Sequence, residues 1–219
     1  MKKTCKYYLS VEGETEKWYF EHLQNLINNN REIPYKVKFS IKISKSITKM
    51  AKSIPVIAKT QVFHICDYES NDSMHTKQFE NILKELNEVR KIKKDIDYKL
   101  GYTNFSFELW LILHKNQQKG KISHRTQYIN GINKAYNENF AFIDEYKEEK
   151  NFKKILAKIT LEDVILAVKH GKEIRVLNEE NSQKDYRKYG QFEYYIENPD
   201  ITVNQCVERI LKDCGVHIH

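Results

Sequence analysis

Glu12, Glu14 and Glu16 fall within five residues around Gly13, directly after the apolar stretch of Tyr7, Tyr8, Leu9 and Val11. Carboxylates so placed can hold a hard cation or move a proton. They can also simply answer the helix macrodipole, which accounts for Glu14 and Glu16 with no chemistry at all. It accounts less well for Glu12, which stands at the carboxyl end of the presumed strand, the edge where open α/β sheets take their ligands. Asp67 and Glu69 follow the apolar run QVFHIC in the same manner. Glu12, Asp67 and Glu69 therefore read as a spaced acidic triad, with Glu16 one helical turn beyond Glu12 on the same side of its helix. Two carboxylates brought within ~4 Å repel by several kcal/mol at an effective dielectric near 20, and a divalent cation removes that cost. All-oxygen ligation favours Mg²⁺ or Mn²⁺, and two such ions can hold the attacking and leaving oxygens of a phosphodiester.

The elements that must position these acids are legible as alternating periodicities. Residues 6–11, 35–43, 61–66 and 97–102 have strand character, the second with Val37, Phe39, Ile41 and Ile43 on one face and lysines on the other, as at a sheet edge. Helical spacing follows the first strand through Trp18, Tyr19, Leu23, Leu26 and Ile27, with Gly13 at the bend and three asparagines at the stop. It recurs over 74–93 through Phe79, Ile82, Leu83, Leu86 and Val89, and more weakly over 46–59, where Pro55 ends or kinks it. Strand and helix in alternation predict an α/β layer with a mostly parallel sheet, whose crossovers bring the carboxyl ends of the strands to one edge. The segment TNFSFELWLILH opens with Ser106 as a helix cap and surrounds Glu108 with apolar side chains, so that carboxylate needs a partner. A salt bridge and a site role suit Glu108 equally, and His114 at a helix end suits the macrodipole better than catalysis. Residues 123–136, 161–169 and 203–211 read as further helices and 178–191 as a polar loop. This predicts a core over 1–140 and a helical extension over 141–219 packed on it.

Composition bounds the function classes. With 219 residues, 31% charged and 40% hydrophobic, and only 7 glycines and 3 prolines, the chain has the make-up of one compact domain with an extension. No apolar run approaches a membrane span and the start carries no secretory core, so a cytoplasmic protein without a membrane partner is expected. The cysteines Cys5, Cys66, Cys206 and Cys214 are scattered without zinc spacing and read as reduced thiols. No glycine-rich dinucleotide turn follows the first strand and no P-loop occurs. The net charge of +7 is concentrated. Residues 33–66 contain no acid but hold Lys36, Lys38, Lys42, Lys45, Lys49, Lys52 and Lys59; residues 109–137 again contain no acid but hold Lys115, Lys119, Lys121, Arg125 and Lys134. Two such windows favour a polyanionic partner, nucleic acid, over a merely solvated surface.

The ordered blocks SVEGETEKWYF, FHICDYES, TNFSFELWLILH and NPDITV resemble the RloB family, which carries a divergent Toprim domain, and the resemblance spans nearly the whole chain. The E-G-x-x-E start and the N-x-x-F-E-x-W block are its specific parts. Two departures stand out: the Toprim D-x-D is Asp67-Tyr68-Glu69, one methylene longer at its second acid, and the family's S-N-P is Thr103-Asn104-Phe105. The resemblance implies a Toprim-like, Rossmann-like fold and a metal-dependent nuclease of bacterial antiviral defence, acting by abortive infection on DNA or RNA, tRNA included. It implies an ABC/SMC-type ATPase encoded alongside and leaves a homo-oligomer open. It further implies Glu12 as metal ligand and acid/base, Glu16 as a second ligand, Asp67 and Glu69 as the remaining shell, and Glu108 and His114 as matches to the family block in catalytic positions. Lys38, Lys42, Lys45, Lys115 and Arg125 are the expected contacts to nucleic acid. The alternative is a non-catalytic subunit that binds nucleic acid or the ATPase; a phosphatase or nucleotidyl-transfer enzyme on small substrates is more distant.

Overall fold

In the computed structural model, which describes residues 2–44, 46–54, 60–92 and 95–218, strand and helix alternate through the first half of the chain. Strands β1 (Thr4–Val11), β2 (Lys36–Ile43), β3 (Thr60–Asp67) and β4 (Ile96–Asn104) are separated by helices α1 (Glu14–Asn29), α2 (Ile47–Ser53) and α3 (Ser73–Ile92). These strands lie in the order β2-β1-β3-β4 and all pair in parallel. The expected α/β architecture, with a mostly parallel sheet flanked by helices and a helix near its C-terminus, is the one observed.

Alternation along the strands builds two cores, one on each face. Phe63 and Ile65 of β3 join Leu9 and Val11 of β1 and Tyr19, Phe20, Leu23 and Ile27 of α1. Val62 and Cys66 turn the other way, to Phe79, Leu83 and Leu86 of α3 and Tyr98 and Tyr102 of β4. Helices α1 and α3 thus cover opposite faces while the strands they follow are neighbours. Strand β2 is the sheet edge, with Lys36, Lys38 and Lys42 exposed and Val37 buried.

After β4 the chain turns into α4 (Glu108–Leu113), α5 (Tyr128–Tyr136), α6 (Ile143–Lys147), α7 (Glu149–Leu156) and α8 (Leu161–Asn181). These share the α1 face: Tyr146, Phe152, Ile155 and Val164 belong to the same hydrophobic cluster as Tyr19 and Trp110. The part beyond residue 140 is not wholly helical. Helix α8 runs to Asn181, well past the expected end, and the stretch read as a polar loop over 178–191 holds strand β5 (Tyr186–Tyr189), which forms a hairpin with β6 (Phe192–Tyr195) just beyond it. In β6, Phe192 and Tyr194 enter the α3-side core and Tyr195 is buried as well, whereas β5 is largely exposed, and two strands of four residues each are too short to register as strand periodicity.

Strand β7 (Asp200–Ile201) then pairs antiparallel with Thr103 and Asn104, and α9 (Val203–Asp213) closes the fold. The Asp200 carboxylate is buried and receives Arg175 of α8 at 2.8 Å, the Asn178 amide at 3.1 Å and the Tyr102 hydroxyl. Asn198 in turn clasps the backbone of Ile122, donating at 2.9 Å and accepting at 2.8 Å. The NPDITV block is therefore a clamp that seats the extension on β4. Because β7 is so short, β4 from Ile96 to Gly101 has no strand partner on its outer side among the described residues, and a cavity of about 470 Å³ lies beside it, lined by Tyr98, Lys99, Arg175 and Glu193.

Candidate functional site

The sheet order places the switch point between β1 and β3, where α1 leaves over one face and α3 over the other. Open α/β sheets take ligands in the crevice at that point, outside the carboxyl ends of the strands. Here the crevice has a volume of about 630 Å³ and is lined by Glu12, Glu16, Asp67 and Glu69 together with Trp18, Gln78, Asn81, Arg125 and Lys147.

Each acid is positioned by backbone near a strand end. Glu12 follows β1 directly, and its Oε2 accepts the Asp67 backbone N–H at 3.1 Å, which ties the two strand ends together. Gly13 begins α1 with extended backbone; a Cβ there would sit 3.1 Å from the Glu16 carboxylate, so the missing side chain leaves room for that acid. Glu16 is buried and takes a hydrogen bond from Thr15 at 3.1 Å. Asp67 ends β3 and accepts the Thr103 hydroxyl at 2.9 Å, while Tyr68 and Glu69 continue the parallel pairing by donating their N–H groups to the carbonyls of Thr103 and Phe105 at 2.9 and 2.8 Å.

Glu69 then adopts φ 66°, a left-handed conformation uncommon for a residue with a side chain, and its carboxylate meets His75 at 3.1 Å and Arg125 at 3.2 Å. It stands on the rim with those two bases. The acids that act on Asp67 are Glu16, Glu12 and Glu108. Burial first, and then these neighbouring charges, push the Asp67 carboxyl well above the ordinary carboxylate range. Burial also raises Glu16, with Glu108 adding to it and local hydrogen bonds opposing it.

Glu108 lies under the crevice. It begins α4, buried at 2% exposure, and holds two partners: the Ser106 hydroxyl and the Lys147 ammonium at 3.0 Å. Ser106 therefore serves Glu108 and does not cap the helix, whose N-cap is Phe107 without a side-chain bond. Lys147, the last residue of α6, is the internal counter-charge: burial works against its charged form, but Glu108, Asp67 and Glu16 outweigh it and raise its pKa. Nothing in the sequence marks Lys147 among the alternating charges of residues 144–150; only the fold directs it inward.

The remaining expected site residues disperse. His114 is fully buried, its Nδ1–H donating to the Trp110 carbonyl at 2.8 Å and its Nε2 facing the Tyr19 hydroxyl at 3.1 Å. Burial lowers its pKa to about 4, so it is a neutral core histidine away from the crevice, which corrects its expected catalytic placement. Lys115 pairs with Asp163 at 2.6 Å, Lys119 with Glu173 at 3.3 Å and Lys121 with Glu197 at 3.3 Å, so with Arg125 on Glu69 the second basic window is largely neutralised by acids distant in sequence. In the first window Lys36, Lys38, Lys49 and Lys52 form no ion pair among the described residues, Lys42 is exposed, and Lys45 and Lys59 lie outside those residues.

The donor set suits a hard cation in kind, being all oxygen and crowded enough with charge to raise Asp67 and Glu16. As placed, no three His, Cys, Asp or Glu side chains among the described residues are grouped closely enough to hold an ion together. The four cysteines are free thiols, three of them buried.

Fold and site together define a Rossmann-like α/β protein with a carboxylate-lined crevice at its switch point. The chain matches the family model described as RloB-like protein over residues 7–210, and it belongs to that family. No curated protein and no solved structure matches it. Among the described residues no helix is long and apolar enough to cross a membrane.

Proposed function

We propose that this protein is a metal-dependent nuclease of Toprim type that cleaves phosphodiester bonds in nucleic acid, RNA such as tRNA or DNA, as the effector of a bacterial anti-phage abortive-infection system beside an ABC/SMC-type ATPase. The observation that carries the reading is the convergence of Glu12, Glu16 and Asp67, remote in sequence, on the crevice at the switch point. Glu12, Asp67 and Glu16 would hold Mg²⁺ or Mn²⁺, as one or two ions. A divalent cation bound there supplies charge for the scissile phosphate and an acidified water.

The chain's own groups do the rest. Thr103 orients Asp67, the Asp67 amide orients Glu12, and Lys147 pairs with Glu108 beneath them. The exposed lysines of β2 and α2 offer a track for the phosphate backbone outside the crevice. A second reading, a non-catalytic subunit binding nucleic acid or the ATPase, draws on Lys147, which already offsets part of the acidic charge without an ion.

The test is incubation of purified protein with Mg²⁺ or Mn²⁺ and labelled DNA, mRNA and tRNA pools, with and without the neighbouring gene product. Cleavage is expected with the cation. Glu12→Gln should lower it by more than the roughly 10–100-fold that loss of an outer-shell partner costs, while nucleic-acid binding persists. Cleavage or cellular toxicity that survives Glu12→Gln combined with Asp67→Asn would favour the non-catalytic subunit.

A further inference from the structure

The walls of the crevice differ in chemistry from its floor. Trp18 of α1 lines it, only partly buried, and its indole rests on Phe152 of α7 with ring centroids 5.8 Å apart. Gln78 and Asn81 of α3 also line it, exposed and three residues apart and so on one face of their helix. Neither amide has a partner among the described residues. An indole braced from behind, together with two neutral amides able both to donate and to accept, matches a nucleobase: a π-face to stack on and a hydrogen-bonding edge to read. Trp18, Gln78 and Asn81 carry no charge, and the cations of the lining, Arg125 and Lys147, already meet Glu69 and Glu108, so the charge of a phosphate belongs on the lysine track.

We propose that the crevice takes one unpaired nucleotide, its base against Trp18 and its edge toward Gln78 and Asn81, so that the nucleic acid is single-stranded where it is cut. The inference rests on the nuclease reading and narrows its substrate. Size agrees: about 630 Å³ lies within the roughly 300–1,000 Å³ of small-ligand clefts. A base inside a duplex keeps its faces in the stack and its edge in a pair, and it reaches such a pocket only after leaving both. The extension's part is to hold the indole in place through Phe152.

The chain has 2 tryptophans, and Trp110 is fully buried out of reach of a ligand, so quenching of intrinsic fluorescence by contact with a base reports on Trp18. The experiment titrates the full-length protein, in EDTA and again in Ca²⁺, with a mixed-sequence twelve-nucleotide DNA or RNA and with the corresponding duplexes. Single strands should quench the fluorescence and duplexes should not. Trp18→Phe should remove the signal while holding single-strand affinity, read from the fluorescence anisotropy of an end-labelled oligonucleotide, within about threefold, and Trp18→Ala should weaken it about tenfold, since each base stacked on an aromatic side chain contributes on that scale. Circular dichroism melting of both variants separates loss of stacking from loss of fold. Gln78→Ala with Asn81→Ala should reduce any preference among homopolymers.

Equal quenching by duplex, no quenching by any nucleic acid, or single-strand affinity unchanged in folded Trp18→Ala would overturn the proposal. Quenching by single strands with no cleavage under any cation would leave the pocket standing and sink the nuclease. Cleavage of duplex indifferent to Trp18 would do the reverse.

Discussion

Asp67 and Glu16 are held above the ordinary carboxylate range by burial and by their acidic neighbours, so each binds its proton more tightly in the folded chain than in the unfolded one. The stability this contributes is fully present below the unfolded value of about 4 and is lost as pH rises through the raised folded value. Comparison with Asp67→Asn isolates the effect. The variant keeps an acceptor for Thr103 but has no charge to repel. In EDTA its melting temperature should match wild type near pH 4, exceed it increasingly as pH rises, and level off above the folded value, with about 2–4 °C for each kcal/mol of relief. A variant that melts below wild type across the range would mean that Asp67 is structural and unstrained. His64 and His114 work in the opposite direction: burial lowers both to about 4, and the stability they contribute, present above about 6.5, falls away as pH drops. Both chains in the comparison carry them, so their effect cancels.

At the scale of elements, most of the sheet was legible and the acids' convergence followed from it. Strands read as residues 6–11, 35–43, 61–66 and 97–102 lie at Thr4–Val11, Lys36–Ile43, Thr60–Asp67 and Ile96–Asn104, because β-branched and aromatic runs between polar turns leave few other conformations open. What the sequence concealed depends on contacts remote along the chain. His114 looked available because its helix ends there, yet Tyr19 and Trp110 enclose it. Glu69 looked like a third ligand by spacing, but its left-handed φ turns it to His75 and Arg125. The role of α6 could not be read at all, since five residues rich in charge show no periodicity. Its final lysine nonetheless completes the site, and Lys147→Met tests that. Glu108, 3% exposed at its side chain, would keep Ser106 but lose its ammonium. Metal-free stability should fall by about 1–2 kcal/mol, less than for a fully buried pair because Lys147 is 37% exposed. Urea melts in EDTA measure it, and an unchanged midpoint would make Lys147 a surface charge.

Across the whole molecule, the two basic windows that look alike in sequence differ in space. The second is matched by Asp163, Glu173, Glu197 and Glu69, whereas the first runs unmatched over the exposed side of β2 and α2 at Lys36, Lys38, Lys49 and Lys52. Released counterions give a slope of about 0.7–0.9 per phosphate contact in log affinity against log salt. Replacing Lys38, Lys42 and Lys49 by Gln should therefore flatten the slope by about 2, while Lys119→Gln with Lys121→Gln should hardly alter it; equal effects from both sets would return the first window to a solubility role. The same salt series bears on the outer side of β4, where Ile96 to Gly101 lacks a strand partner among the described residues. Such an edge is a template onto which another copy can add and stack into insoluble matter. Lys99 projects from it with its side chain 52% exposed and pairs with Asp97 of the same strand at 3.3 Å, so a second edge docking there would have to strip water from a charged pair. The net charge of +7 keeps copies apart as well, and that repulsion is screened as ions accumulate, so light scattered by the concentrated protein should climb with the salt that strips it from nucleic acid.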